Sequence, residues 1–157
     1  MDVGTGIGEV ERKDIAEALA HLLADTYTLY AKTQCCHWNV IGPSFPQLHE
    51  LFERQYRELA EAVDVIAERM RALGFSAPSS LPELGRMSSI PDGPTPTDAS
   101  DMLRNLLIGH EMLARASRNF VGLAEHGRDH VTVDLLTERM RVHEQAAWML
   151  RSTLVAT

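Results

Sequence analysis

Residues 37–74 read HWNVIGPSFPQLHELFERQYRELAEAVDVIAERMRALG, and this stretch decides the architecture. It opens on the end of one apolar-periodic segment, breaks at Ile41-Gly42-Pro43-Ser44, and resumes as a second. Glycine and proline punctuate because one accepts unusual backbone angles and the other lacks an amide hydrogen. Ser44 stands where a helix N-cap belongs and Gly74 where a helix stops. Between them Leu48, Leu51, Phe52, Leu59, Val63, Ile66, Met70 and Leu73 recur at helical spacing, which predicts an amphipathic helix over Phe45–Leu73. Upstream, Ile15, Leu19, Leu22, Leu23, Thr26, Leu29 and Tyr30 predict a first helix from Lys13 to Val40, with residues 1–12 as a flexible tail.

Downstream the composition shifts. Residues 75–97 hold Pro78, Pro82, Pro91, Pro94 and Pro96, five of the seven prolines in the chain. Within them Leu81–Arg86 reads as a short helix and the rest as connector. Thr97 or Asp98 then caps a third long helix reaching Glu125, with Met102, Leu103, Leu106, Leu107, Leu113, Ala116, Phe120 and Leu123 on its apolar face. His126-Gly127-Arg128 breaks it, and a fourth runs from His130 to Leu154. The connector discriminates between topologies. The second helix is ~43 Å long at ~1.5 Å per residue, and an extended connector covers up to ~3.3 Å per residue. The connector therefore has the length to travel the whole bundle. One long crossover between helix pairs is the ferritin-like arrangement, and a slack loop in an up-down bundle is the other option. The expectation is a single all-α domain over 1–157: a ferritin-like four-helix bundle with one long crossover, residues 75–97, carrying a short helix.

Composition agrees. With 45% hydrophobic residues in 157, a packed core is expected rather than disorder. Aromatics at 6% favour helix over sheet. A net charge of −7 repels nucleic acid and anionic lipid and attracts cations. The opening MDVGTGIGEV lacks a basic segment followed by an apolar run, and no apolar stretch spans a bilayer. Cys35 and Cys36 are the only cysteines, and neighbours sit too close for relaxed disulfide geometry. A cytoplasmic, disulfide-free protein with no membrane partner is expected.

Histidines read singly are surface or satisfied core residues, and His21, His110, His126 and His130 take that reading. His37 and His49 keep different company. His49 and Glu53 share a helix face, as do Asp64 and Glu68. Glu50, Glu58 and Glu61 read as solvated. Asp64 is set apart by Val63 and Ile66, because a carboxylate near a core is costly unless paired or metal-bound. Yet His49 and Asp64 lie ~22 Å apart along one helix, while metal ligands sit at roughly 2 Å. One chain cannot bring both to one ion. One solution is antiparallel pairing of this helix with its copy about a twofold axis near Arg57 and Glu58, which would generate two such sites. His37, just across the turn, completes each site. Imidazole with carboxylates suits iron, manganese or zinc, and spacing does not choose among them.

These residues resemble the signatures of the Dps family, the DNA-binding proteins from starved cells. His37-Trp38-Asn39-Val40, Gly42, Leu48-His49 and Glu53 look like its first signature. Asp64, Ile66-Ala67-Glu68-Arg69 and Leu73-Gly74 look like its second, and His143-Glu144-Gln145-Ala146-Ala147-Trp148-Met149-Leu150 is similar to its C-terminal helix. The resemblance spans residues 13 to 154. It implies a hollow homo-dodecamer with ferroxidase centres at twofold interfaces. His37 and His49 would come from one subunit, Asp64 and Glu68 from its partner, and Glu53 would be a further acidic ligand. It implies Fe(II) oxidation, preferentially by hydrogen peroxide, ferric storage in the cavity and protection against oxidative damage. Trp38 would lie beside the centre as an electron donor or radical quencher, or else be a core or interface aromatic. Asp129, Asp134 and Glu138 match acidic positions of threefold iron-entry pores, or else form a solvated acidic face.

The chain departs from the family at Gln34, often histidine, and at Cys36, often aromatic. Cys35 and Cys36 read as small buried residues or as peroxide-reactive thiols. Lys13 and Lys32 are the only lysines, and the termini offer little cationic charge. DNA binding is therefore expected to be weak, since it rests on neutralising phosphates. The competing readings are a nucleoid-associated DNA-protection protein with minor iron chemistry, and a cage for zinc or manganese. Glu-x-x-His, the intrasubunit di-iron motif of other ferritin-like bundles, is missing from the sequence.

Overall fold

The computed structural model describes residues 3–91 and 93–155. It contains helices α1 (Glu9–Asn39), α2 (Phe45–Ala72), α3 (Leu81–Met87), α4 (Ala99–His126) and α5 (His130–Val155), with no strand among the described residues.

The expected tail over residues 1–12 is corrected. Glu9 to Arg12 form the first turn of α1, where Glu9 and Glu11 complement the positive end of the helix dipole. Arg12 donates to the Leu73 carbonyl at 2.7 Å and the Ile7 carbonyl at 3.3 Å, tying the start of α1 to the end of α2. Met1 and Asp2 lie outside the described residues. Ser44 holds the N-cap position of α2, but its hydroxyl caps nothing. A turn launches the helix instead: the Phe45 amide donates to the Gly42 carbonyl at 3.0 Å, with Gly42 at φ +110°. Gly74 ends α2 as expected, at φ +97°, while the Phe75 amide closes onto the Met70 carbonyl. Asp98 caps α4 by accepting from the Ser100 and Asp101 amides.

Contacts between helices fix their directions. Gly127 packs against Ile15 and Glu11, and Gly109 against Leu29, so α4 runs antiparallel to α1. Arg69 meets Asp129, and Glu58 meets Arg139, so α5 runs antiparallel to α2. Since α1 and α2 form a hairpin, α2 and α4 are parallel. The connector between them must climb the bundle, which selects the ferritin-like crossover over the up-down alternative.

The crossover is pinned midway. Asp25 of α1 is buried at 4% exposure, and its carboxylate accepts from the Ser88 hydroxyl and the Ser89 amide. A buried carboxylate costs several kcal/mol unless so satisfied, so Asp25 specifies where residues 88 and 89 cross α1. The core lies between the two hairpins, with Leu22, Leu29, Phe52, Leu59, Ile66 and Leu106 wholly enclosed.

Candidate metal centre

The turn over residues 40–44 brings the last turn of α1 against the first of α2. There His37 and His49 stack, ring centroids 3.8 Å apart and planes at 20°. Each imidazole bonds the other's backbone: His37 Nδ1 to the His49 carbonyl at 2.8 Å, and His49 Nδ1 to the His37 carbonyl at 2.9 Å. A carbonyl only accepts, so both Nδ1 atoms carry the proton. Both Nε2 atoms are left as lone-pair donors, the tautomer a metal requires. Tyr56 packs edge-on to His37 and Phe45 tilts over His49, holding the rings in place.

Glu53 lies one turn on. Its carboxyl sits below the usual range, first through its hydrogen bonds from Arg57 and also through the nearby His37 and His49. Arg57 Nε and Nη2 both bond Oε1, at 2.9 and 2.6 Å, leaving Oε2 free of Arg57.

Asp64 and Glu68 are exposed and make no ion pair among the described residues. The proximity to the core that singled out Asp64 in the sequence is corrected, because its side chain points away from the buried stripe of Leu59, Ala62 and Ile66. On a helical projection His49, Glu53, Asp64 and Glu68 fall within an arc of about 100° on the opposite face. The ~22 Å rise between His49 and Asp64 stands. Among the described residues, no three His, Cys, Asp or Glu side chains of one chain gather around a common point.

Trp38 is 63% exposed, which removes the core reading and leaves the interface and electron-donor readings. Cys36 is buried, and burial followed by the neighbouring Cys35 pushes its thiol up to about 11. It is therefore no ready peroxide nucleophile. Asp129 is withdrawn from the pore set. It is 1% exposed and accepts from Arg69 at 2.7 Å, from the Thr132 amide at 3.0 Å and from the Thr132 hydroxyl. Burial alone would raise its carboxyl, yet Arg69 and Thr132 together hold it low. Asp129 thus caps α5 and anchors it to α2. Asp134 and Glu138 are exposed and line one groove, with Glu138 paired to Arg141.

A second constellation escaped the sequence reading. Glu58, read as solvated, forms a two-pronged ion pair with Arg139, which is 6% exposed. Arg139 Nη2 lies 3.3 Å from His143 Nε2, and His143 Nδ1 lies 2.9 Å from His110 Nδ1. Both histidines are buried, which first and foremost holds them neutral, His110 down to about 3. The usable signal was position: His110 falls between Leu106 and Leu113 on the α4 stripe, and His143 between Leu136 and Leu150 on that of α5.

The fold and the helix-borne donors define the class as a ferritin-like bundle, and the ferritin-like domain family matches residues 16–157. DNA protection during starvation protein 2 of Bacillus anthracis is 34% identical over 142 residues, covering 90% of this chain and 97% of its own. The structure of DpsC from Streptomyces coelicolor is similar at 28% identity and TM-score 0.96, covering 100% of this chain and 92% of that one. A Vibrio cholerae Dps structure, described as one of the ferritin-like diiron-carboxylate proteins, is similar at 28% identity and TM-score 0.91, covering 94% and 93%. The chain belongs to the Dps family of ferritin-like proteins. No helix among the described residues is long and apolar enough to cross a membrane.

Proposed function

We propose that the protein is a homo-oligomeric iron store and ferroxidase whose sites are shared between subunits. His37 and His49 of one chain face Asp64 and Glu68 of the partner subunit across a twofold axis near Arg57 and Glu58, with Glu53 beside them. The single observation that carries this is the reciprocal hydrogen bonding of His37 and His49 through Nδ1, which turns both Nε2 atoms outward from one tight turn as candidate metal donors. The exposed, unpaired Asp64 and Glu68 on the same arc support it, as does the diiron-carboxylate description of the Vibrio cholerae relative.

Fe(II) is the substrate. Two Fe(II) yield two electrons to one hydrogen peroxide, which takes two protons and leaves as two waters. The ferric product is stored in the cavity of a dodecamer. Consuming peroxide by electron pairs avoids releasing hydroxyl radical. Trp38, exposed and next to His37 in the chain, serves there as an electron donor or radical quencher. Asp134 and Glu138 form the cation entry. We further propose that DNA is bound weakly at physiological salt, since a chain of net charge −7 offers few cations for phosphate.

The test is Fe(II) oxidation by peroxide and by oxygen in the parent and in a variant carrying His49→Ala with Asp64→Ala. Peroxide is expected to be the faster oxidant in the parent, and the variant, which loses ligands themselves, is expected to lose more than the ~10–100-fold that removal of a ligand's supporting partner costs. A variant matching the parent refutes the assignment. Zinc or manganese retained against excess iron would favour the other-metal cage.

A further inference from the structure

Between α2 and α5 lies a groove of about 350 Å³ whose floor reaches α4. Leu51, Val142, Ala146 and Met149 give it an apolar wall, its floor carries Gln55 and His110, and Arg54, Glu58 and Gln145 complete the lining. Both floor residues are more than nine-tenths buried. The Gln55 amide has no partner on either its nitrogen or its oxygen, and His110 Nε2 has none. Buried polar groups are almost always satisfied, so three orphaned atoms beneath one groove point to an occupant that reaches them when the Gln55 side chain turns outward.

The hydrogen-bond chain behind the floor fixes what His110 presents. The Arg139 guanidinium can only donate, so His143 Nε2 accepts from it and the His143 proton sits on Nδ1. That Nδ1–H donates to His110 Nδ1, which leaves the His110 proton on Nε2, on the ring edge away from His143. His110 thus offers an N–H, not a lone pair, and the groove does not suit a cation. Gln55 Oε1 and the Glu58 carboxylate disfavour an anion, and Arg54, the cation in the lining, is already paired with Glu50 at 3.1 Å. Two donors and one acceptor above apolar walls match a head group that both accepts and donates.

We propose that this groove binds a small neutral molecule with a carboxamide or hydroxyl head on an apolar body of about one ring. With the Gln55 side chain turned outward, the head's oxygen accepts from His110 Nε2 and Gln55 Nε2, and its hydrogen goes to Gln55 Oε1. Gln55 stands about half a turn round α2 from Asp64, so the site is separate from the iron ligands and does not depend on them.

Benzamide and benzoate, alike in shape but opposite in head chemistry, test it on the assembled full-length protein by calorimetry and crystal soaking. Benzamide is expected in the groove with its amide against Gln55 and His110, at least tenfold tighter than benzoate. Gln55→Leu is expected to weaken benzamide at least tenfold while Fe(II) oxidation stays at the parental rate. Water alone in soaked crystals, a side chain of a second copy filling the groove, equal affinity for the two probes, or unchanged affinity in Gln55→Leu would overturn the proposal. Where Gln55→Leu does not assemble, the parent's preference between the probes decides.

Discussion

Sites shared across a twofold axis make a quantitative prediction about mixed assemblies. Let one chain carry His37→Ala with His49→Ala, and another Asp64→Asn with Glu68→Gln. Each variant alone has no complete site in any dimer. In a mixed dimer, one site joins both defects, while the other joins the intact histidines of one chain to the intact carboxylates of its partner. Random one-to-one pairing makes about half the dimers mixed. Each mixed dimer restores one of its two sites, so about a quarter of the parental site count returns. The ~22 Å helical rise between His49 and Asp64 forbids rescue within one chain. Co-expressing the two variants with different tags, isolating doubly tagged assemblies and following ferric absorbance after Fe(II) and peroxide measures it. The control is the two variants purified separately and mixed cold. Recovery near a quarter of the parental rate supports the geometry. No recovery refutes sharing across the axis, and high activity in the acid-deficient chain alone removes Asp64 and Glu68 as ligands.

Two further outcomes concern stability. His110 is held down to about 3 and His143 well below its ordinary 6.5, so the native state keeps both neutral where the unfolded chain binds protons. Stability is then full above pH ~6.5 and falls as pH drops toward ~3, with His110 alone removing about 2 kcal/mol at pH ~5. Denaturant melts at both pH values check this, and His110→Phe should flatten the difference. An equal difference in that variant refutes the cause. Asp25→Ala strips the Ser88 hydroxyl and Ser89 amide of their acceptor. It is expected to cost about 1–3 kcal/mol and to open residues 88–97 to limited proteolysis. Unchanged cleavage would mean that the crossover is held elsewhere.

Much of the fold was legible because it depends on short-range order. The stripe from Leu48 to Leu73 reports one helix's own face, and the length of residues 75–97 reports a distance that the chain must cover. The His37 and His49 pairing was legible for the same reason, since only a tight turn separates them. What failed was what depends on a distant partner. Asp129 looks like a pore carboxylate until Arg69, from α2, is seen holding it. Glu58 looks solvated until Arg139, from α5, reaches it. Asp64 was selected on a neighbourhood in sequence that helical geometry turns away from the core. It remains a candidate ligand because it is exposed and unpaired, the opposite of the first reason.

The two faces of α2 explain why one helix carries both kinds of residue. On the arc of His49, Glu53, Asp64 and Glu68, charge stays in water within the subunit, costing little until a partner and a cation arrive. On the other side, Gln55 and Glu58 turn toward α4 and α5, where Glu58 stays partly exposed but its partner Arg139 is buried and must be neutralised inside the chain. Glu58 is neutralised by Arg139, and Arg139 in turn sets the protons of His143 and His110. The proposed ligands Asp64 and Glu68 are thus carboxylates that the subunit leaves unpaired, while its internal order draws on carboxylates that its own arginines hold, Glu58 by Arg139 and Asp129 by Arg69. Substitutions on the first face should alter oxidation with little change in subunit folding, and substitutions of Glu58 or Arg139 should do the reverse. A variant such as Glu58→Gln that folded as well as the parent but lost oxidation would break that division.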